Sequence, residues 1–337
     1  MPTNELTARI KAKFKKVAKW SLIGTAVLGA VLTATVLVLE RRTYDPGYPA
    51  IRASADPAVI ARGRYLVHGP AHCTSCHGDP RHKADFLAGR DGPLSGGVEF
   101  HLPIGTIRSA NITGDPQTGI GGLRDHEIAR ALRFGVRRDG RALAPFMPFA
   151  NISDQDLTAI VSYLRTQAPV RNEVQTRSLN PLGHGVVAFV LKPQGPSGPV
   201  PATVPAGPTA EYGKYLVNSV ANCAGCHTQR DMRTGEFTGP KLAGGLVMTS
   251  HDLPGRTFVT PNLTPDPATG RLANWTEEIF VARAKTGKGA EGSPMPWANF
   301  ARMTDDDLKA IYRYLRSLPP VHNNTGDSVR PVEVATR

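Results

Sequence analysis

The most apolar stretch of this 337-residue chain lies near its N-terminus. Residues 20–39 contain no charged side chain, and as a helix they would rise about 30 Å, the thickness of the hydrocarbon core of a bilayer. Glu5 is the one acidic residue before this stretch, whereas six basic residues precede it: Arg9, Lys11, Lys13, Lys15, Lys16 and Lys19. This asymmetry predicts a single-pass membrane anchor with a cytoplasmic N-terminus and with the chain after Arg42 exported. A cleaved signal peptide is the alternative, although its apolar region would span only about 7–15 residues and end at a small-residue cleavage site.

Helical spacing of apolar residues recurs along the rest of the chain. Asp56 and Pro57 predict the start of one helix, and a second is expected from Asp125 to Phe134, with Ile128 and Leu132 buried. Two more helices begin after Ser153 and Thr304 and present apolar positions three and four residues apart. These positions are Leu157, Ile160, Val161 and Leu164 in one helix, and Leu308, Ile311, Tyr312 and Leu315 in the other. No strand pattern is evident, so the sequence predicts an all-α body.

The body of the chain is duplicated, because six short segments recur about 150 residues later. The matching segments begin at Gly63 and Gly213, Asn111 and Asn262, Asp115 and Asp266, Met147 and Met295, Asp154 and Asp305, and Tyr163 and Tyr314. The predicted organisation is a basic stretch and anchor (1–42), a first domain (43–168), a Pro/Gly-rich linker (169–208), a second domain (209–320) and a tail (321–337). Within the linker, only residues 186–191 are apolar enough for a short packed segment.

The net charge of +12 does not indicate a nucleic-acid partner. Residues 1–42 hold eight of the 40 basic residues and two of the 28 acidic ones, so half of the excess belongs to the anchor region. The remainder forms no concentrated basic stripe of the kind that binds a phosphate backbone.

All four cysteines lie in two Cys-x-x-Cys-His motifs, which are Cys73, Cys76 and His77, and Cys223, Cys226 and His227. This spacing is typical of covalent haem c attachment, in which both thiols bond the porphyrin and the histidine ligates the iron. The motifs therefore predict two covalently bound haems. Three other roles of such cysteines are less consistent with the pattern. A redox dithiol needs a βαβ context, a four-cysteine zinc site would join motifs 150 residues apart, and a bridge between Cys73 and Cys76 would constrain little of the chain.

The sixth iron ligand is predicted to be Met147 in the first domain and Met295 in the second. Each methionine precedes a proline at the same place in its repeat, and a thioether ligand closes the iron to small molecules. Met232, Met248 and Met303 are competitors in the second copy but have no counterpart in the first. A His/His site remains open through His101 and His251, whereas His126 is expected to be an ordinary solvated residue.

Two further segments, Asn111-Ile-Thr and Asn262-Leu-Thr, match the N-glycosylation pattern. Their duplication beside a Thr-Gly turn favours a turn or a contact with a haem propionate instead.

Taken together, Cys-x-x-Cys-His, Asn-[Ile/Leu]-Thr-x-Asp-Pro-x-Thr-Gly, Met-Pro and Tyr-Leu-Arg make residues 56–320 similar to class I cytochrome c domains of bacterial multihaem cytochromes. The resemblance extends to the cytochrome subunits of membrane-bound alcohol, aldehyde and gluconate dehydrogenases, although those typically carry three haem motifs and this chain has two. It implies an all-helical haem fold with His77/Met147 and His227/Met295 as axial pairs. It also implies electron passage from a periplasmic donor towards quinone or a terminal oxidase.

The expected protein is thus an electron carrier without catalytic residues, anchored in the bacterial inner membrane with its haem domains in the periplasm. Its expected partners are the membrane and redox proteins, namely a periplasmic dehydrogenase, a quinol-oxidising complex or a terminal oxidase. Two alternatives remain open. One is an electron-transfer subunit of a membrane-bound dehydrogenase complex, and the other is a dihaem peroxidase or thiosulfate-oxidising enzyme with one reachable iron.

Overall fold

A computed structural model describes residues 3–147, 149–231, 236–249, 253 and 255–331. Its first element is a long helix, α1 (Thr3–Leu39), which contains the apolar stretch and is long and apolar enough to cross a bilayer. Large apolar side chains on α1 are solvent-exposed along most of its length, for example Leu28 and Val38 at 69% and 70%. Such exposure is expected of a helix whose natural environment is lipid.

Two similar sets of elements follow, here called the first repeat (residues 56–179) and the second repeat (residues 209–331). The first contains α2 (Pro57–His68), α3 (Cys73–His77), α4 (Lys83–Leu87), β1 (Glu99–Leu102), β2 (Gly105–Arg108), α5 (Asp125–Phe134), α6 (Asp154–Arg165) and β3 (Arg177–Leu179). Between the repeats lies α7 (Pro181–Phe189). The second contains α8 (Ala210–Tyr215), α9 (Cys223–Cys226), β4 (Val247–Thr249), β5 (Arg256–Val259), α10 (Glu277–Lys285), α11 (Trp297–Phe300), α12 (Asp305–Arg316) and β6 (Val329–Pro331).

The predicted helix starts are confirmed by their capping contacts. Asp56 accepts a hydrogen bond from the Ala58 amide at 2.8 Å, and Pro57 is the first residue of α2. The Ser153 and Thr304 hydroxyls accept from amides three residues on, at 3.1 and 3.2 Å, at the starts of α6 and α12. These bonds satisfy amides that have no partner within the helix.

In each repeat, the apolar faces of the first and last helices form the core. α6 packs on α2, and α12 packs on α8. At each crossing a glycine allows the backbones to meet, because a Cβ on Gly63 or Gly213 would lie 1.9 Å from the carbonyl oxygen of Ala159 or Ala310. Leu157, Leu164, Leu308 and Leu315 are at most 5% exposed, and most of the buried apolar residues of both repeats form one continuous cluster.

The all-α prediction is incomplete, since the structure also contains two three-stranded antiparallel sheets, β1-β2-β3 and β4-β5-β6. In the first sheet Phe100 lies opposite Ile107, and Thr106 lies opposite Ser178; in the second Met248 lies opposite Phe258. Each strand has only three or four residues, and most positions are half-buried or exposed. Alternation over so few residues gives no readable period, so sequence patterning could not reveal these strands.

The segment predicted to be an extended linker is also more ordered than expected. β3 and α7 lie within residues 169–208, and β6 lies within the predicted tail. Downstream, the carbonyl oxygens of Pro201 and Ala202 accept hydrogen bonds from the amides of Asp154 and Gln155 at 3.1 and 2.9 Å. These contacts hold the later part of the linker against the first turn of α6.

Candidate haem sites

The first cysteine-histidine motif is itself a short helix, α3, that follows α2 closely. His72 enters it in a left-handed conformation with φ 41°, which turns the chain between the two helices. At its end, His77 Nδ1 lies 2.8 Å from the carbonyl oxygen of Ala110, two residues beyond β2. A bond to this carbonyl fixes the proton on Nδ1 and leaves Nε2 as the free lone-pair nitrogen, the arrangement that a metal-ligating histidine uses.

The second motif repeats this geometry. Asn222 takes the left-handed position with φ 51° before α9, and His227 follows the helix directly. His227 Nδ1 lies 3.0 Å from the carbonyl oxygen of Pro261, two residues beyond β5. Burial lowers the pKa of both His77 and His227, so the neutral imidazole that can bind iron is favoured. The unforeseen sheets therefore serve the site, because β2 and β5 position the carbonyls that orient the two histidines.

The four cysteines form no disulfide, and Cys73 and Cys223 pack against the apolar core. Burial raises the pKa of Cys73 and Cys223 to about 12 and that of Cys76 to about 11. Such thiols remain protonated at neutral pH, unlike the acidified thiols of reactive redox cysteines. Within the described part of the chain, no three His, Cys, Asp or Glu side chains come together as a metal site. The protonated thiols weigh against the redox-dithiol alternative.

The two motifs are neighbours in space. The Cys76 pKa is raised by burial and, secondarily, by the charge that Cys226 would carry as a thiolate. Asn299 bridges towards the first motif as well: its Nδ2 donates to Thr74 Oγ1 at 2.6 Å and to the His68 carbonyl at 2.8 Å, and the Ser75 hydroxyl donates to its Oδ1 at 2.7 Å. A residue four positions after Met295 thus holds the attachment helix of the other repeat.

A reciprocal pair of tyrosines joins the two repeats. Tyr65 donates its hydroxyl proton to Asp307 at 2.5 Å and accepts from the Thr304 amide at 3.1 Å, at the start of α12. Its counterpart Tyr215 makes the same contacts at the start of α6. Both tyrosines lie two residues after the glycines that begin the first pair of matching segments, and the sequence pattern indicates no role for them. Their recurrence beside a required glycine was the available signal.

Met147 and Met295 lie in loops and are half-buried against the apolar cluster. Their assignment as sixth ligands remains a prediction. Among the competitors, Met303 is 1% exposed and fills the core, and Met248 lies on β4 opposite Phe258. Met232 and His251 lie outside the described residues.

The histidine competitors in the first repeat have other surroundings. His101 is exposed on β1, where Nδ1 is 3.2 Å from Thr106 Oγ1 and Nε2 is 3.4 Å from Glu99. His126 lies at the start of α5 and packs edge-on against Tyr48, with ring centroids 4.7 Å apart. Their contacts within the described chain are thus ordinary surface contacts.

The duplicated Asn-x-Thr segments are buried turns. Asn111 and Asn262 are 3% and 0% exposed, which is incompatible with a carbohydrate on either side chain in this fold. Asn111 Nδ2 donates to the carbonyl of Val170 at 2.8 Å, and Asn262 Nδ2 donates to that of Val321 at the same distance. Each amide therefore ties the loop after the haem motif to the chain that follows the last helix of its repeat, as a structural role requires.

Two buried donors in the second repeat lack a hydrogen-bond partner among the described residues, Trp297 Nε1 and Arg230 Nε. Trp297 follows Met295 by two positions, and the Arg230 charge acts on the Cys226 thiol. An unpaired buried donor is costly, and a group bearing carboxylates would satisfy it. The unpaired donors, the free imidazole nitrogens and the adjacent thiol pairs all fit a haem with its propionates.

Comparison with known proteins agrees with this geometry. Residues 210–319 match the family described as cytochrome c. The chain therefore contains a cytochrome c domain, and such a domain implies covalently bound haem c.

The chain is, more particularly, similar to cytochrome c subunits of dehydrogenases. It is 33% identical over 291 residues to the cytochrome c subunit of the quinone alcohol dehydrogenase of Gluconacetobacter polyoxogenes, covering 81% of this chain and 58% of that subunit. It is 29% identical over 333 residues to the fructose dehydrogenase cytochrome subunit of Gluconobacter japonicus, covering 92% and 63%. A dihaem c-type cytochrome of Cereibacter sphaeroides is 28% identical over 258 residues, with 74% and 82% covered. The chain thus spans 58% of the length of the alcohol dehydrogenase subunit.

Proposed function

We propose that this protein is a c-type cytochrome with two covalently bound haems that carries electrons and has no catalytic site of its own. The observation that carries the proposal is the matched pair of histidines. His77 and His227 each follow two cysteines, and each has Nδ1 held by a main-chain carbonyl at 2.8 or 3.0 Å. The dihaem relative supports the number of haems.

In this proposal Cys73 and Cys76 hold one haem, and Cys223 and Cys226 hold the other. His77 and His227 would each give the iron a nitrogen ligand, and Met147 and Met295 would each give it a sulfur ligand. Haem c, when bound, supplies one-electron oxidation and reduction. The protein's part is to orient the imidazoles, exclude water with the apolar cluster, and close the sixth position so that the iron binds no small molecule.

The spatial arrangement supports electron passage between the two haems. Asn299 of the second repeat hydrogen-bonds the helix that carries Cys76, and the His72 ring packs edge-on against Phe300 with centroids 6.0 Å apart. The two sites thus belong to one packed body, and an electron would not need to wait for domain movement. We place the domains at 43–168 and 209–320 as predicted, and the pairing of β3 and β6 favours extending each to its third strand.

The proposed location is the bacterial inner membrane, with α1 as a single-pass anchor, its basic N-terminal segment in the cytoplasm and both haem sites in the periplasm. The length, apolar composition and exposed side chains of α1 support this.

The proposed physiological role is that of the electron-transfer subunit of a membrane-bound dehydrogenase, delivering electrons towards quinone or a terminal oxidase. The similar subunits of alcohol, fructose and gluconate dehydrogenases favour this over a free carrier. Purification of the native complex in mild detergent would test it. A stoichiometric dehydrogenase subunit is expected, and a cytochrome that purifies alone would favour the free carrier.

The ligand assignment is tested with Met147→Ala and Met295→Ala. The oxidised protein should show the weak absorption band near the red edge of the visible that accompanies Met–iron bonding, and each variant should lose about half of it. Met248→Ala is the matched control and should keep the whole band, because Met248 lies on a strand. Retention of the full band in both Met147→Ala and Met295→Ala would refute the assignment.

Carbon monoxide binding by the reduced protein distinguishes an electron carrier from a dihaem enzyme. If both irons are closed, the reduced native protein should bind carbon monoxide slowly or not at all, whereas each Met→Ala variant should bind it rapidly. Rapid binding by the unmodified protein would favour a peroxidase-like or thiosulfate-oxidising function. A haem count by alkaline pyridine absorption should give two per chain.

A further inference from the structure

The short helix α7 lies at the outer end of α1. Its His184 Nδ1 is 2.6 Å from Glu40 Oε2, the residue that follows the last turn of α1. Val36 and Leu39 are half-buried there, whereas the preceding side chains of the apolar stretch are exposed. A second contact follows α7, where the Tyr44 hydroxyl donates to the Leu191 carbonyl at 3.4 Å. These contacts fix α7 at the level at which the apolar stretch of α1 ends.

One face of α7 is anchored to the first repeat. Asn180 accepts from the Gly183 amide at 2.9 Å as the N-cap, and its side chain donates to the Pro103 carbonyl at 2.8 Å. A Cβ on Gly183 would lie 2.1 Å from the carbonyl oxygen of Ile104, so α7 rests directly on the turn between β1 and β2. Rotation of α7 about its axis would break these contacts with the turn between β1 and β2.

Beside this contact, α7 and the residue that follows it present an exposed apolar surface. Leu182, Phe189 and Val190 are 60%, 53% and 51% exposed, and they fall within about 100° of one another on a helix of 3.6 residues per turn. No Asp, Glu, Lys or Arg occurs between Pro181 and Leu191. Three large apolar side chains gathered on one face of a fixed helix require a partner more than three scattered ones would.

We propose that this face of α7 is inserted into the interfacial layer of the lipid bilayer on the exported side, as a second membrane contact beside α1. The proposal rests on the membrane anchoring proposed above. Lipid is the expected partner of this face because of where α7 lies. Its His184 contacts Glu40, at the end of the apolar stretch, and this is the level of the lipid headgroups if α1 spans the bilayer. Arg41, Arg42 and Lys192 are exposed at the ends of α1 and α7, where their cations can meet lipid phosphates.

The test uses the full-length, haem-loaded protein in vesicles of phosphatidylethanolamine and phosphatidylglycerol. Once the native cysteines are bonded to haem, one introduced cysteine provides the single site for a nitroxide label. Phe189→Cys is the test position, and Val31→Cys in the middle of α1 marks the anchor. Leu87→Cys is the control, since Leu87 is 65% exposed at the end of α4. Unchanged visible spectra verify folding, and paramagnetic resonance measures how strongly oxygen and a water-soluble nickel chelate reach each label.

A label at position 189 should show an oxygen-to-nickel accessibility ratio several-fold higher than the label at position 87, and closer to that at position 31. If position 31 is immersed but position 189 matches position 87, the α7 proposal is wrong while the anchor stands. If both reagents are excluded at position 189, a protein surface covers this face and the lipid proposal is also wrong. A water-exposed label at position 31 would overturn the anchor and this proposal together.

Discussion

The contact between the first and last helices of each repeat tolerates no side chain at Gly63 or Gly213. In Gly63→Ala the new Cβ would lie 1.9 Å from the Ala159 carbonyl oxygen, where ordinary carbon–oxygen contact needs about 3.3 Å. The obstacle is backbone, so relief requires the helices to separate by roughly 1 Å or more. The same distance separates a Cβ on Gly213 from the Ala310 carbonyl oxygen.

The expected cost follows from two opposing effects. Overpacking a close-packed core costs about 3 kcal/mol when the neighbour is rigid, and replacing glycine by alanine inside a helix returns up to about 1 kcal/mol. Each variant should therefore lose about 2 kcal/mol of unfolding free energy. With a guanidinium slope of about 5 kcal/mol per molar, the unfolding midpoint should fall by about 0.4 M.

The midpoint is measured on the oxidised, haem-loaded protein in detergent, with far-UV circular dichroism and Soret absorption followed together. Gly185→Ala in α7 is the control, because nothing lies within 4 Å of its Cβ position and its midpoint should stay level or rise slightly. Midpoints for Gly63→Ala and Gly213→Ala equal to that of the control would refute the proposed helix contact.

Two other predictions concern contacts between the repeats, and a third concerns the buried imidazole of His68. Tyr65→Phe leaves Asp307 buried without its 2.5 Å donor and should cost about 1–3 kcal/mol, read as a lower guanidinium midpoint; an unchanged midpoint would contradict the role of this bond. Asn299→Ala should lower the free energy of unfolding by a similar amount, because it removes the hydrogen bonds to His68 and Thr74. The control Asn151→Ala removes contacts to Ser197 and should cost less than about 1 kcal/mol. Equal losses in the two variants would show that Asn299 does not stabilise the first motif. Burial lowers the pKa of His68 to about 4. Between about pH 6.5 and 4 the unfolded chain therefore binds a proton that the folded protein does not. The free energy of unfolding should fall by up to about 3 kcal/mol as the pH drops from 6.5 towards 4. Unfolding midpoints of His68→Gln across this range should be flatter, and an unaltered slope would show that His68 is not the group responsible.

The helices of this protein were predictable because their signals are local. α5 begins and ends at the predicted Asp125 and Phe134, and the caps at Ser153 and Thr304 lie where the sequence indicated them. A cap, an apolar stripe and a terminating glycine each act within a few residues, so one sequence suffices to read them.

The strands and the interface were not predictable for the opposite reason. β3 is defined by pairing with β2 across about 70 residues, and its three residues carry no period of their own. Tyr65 likewise has a partner 242 positions away. The tyrosine recurs in both repeats, as Tyr65 and Tyr215, but its hydrogen-bond partner depends on how the two repeats pack against each other.

Within the candidate sites, the thiols and histidines were evident from spacing alone, since the attachment chemistry requires adjacent residues. The groups that orient them were not. Ala110 and Pro261 act through main-chain carbonyls, which every residue possesses. No sequence pattern can mark such a contact.

The reciprocal tyrosine contacts make the interface between the two repeats symmetric. Each repeat carries both halves of the bond, a tyrosine hydroxyl on its first helix and a carboxylate in the first turn of its last helix, so the interface is isologous in the manner of a symmetric homodimer. A single repeat with these two features therefore carries both of the complementary groups that pairing with a second copy requires. The two copies are not identical in their contacts, since Asn299 hydrogen-bonds the haem motif of the other repeat, whereas its counterpart Asn151 accepts from the Ser197 amide in the segment that joins the repeats.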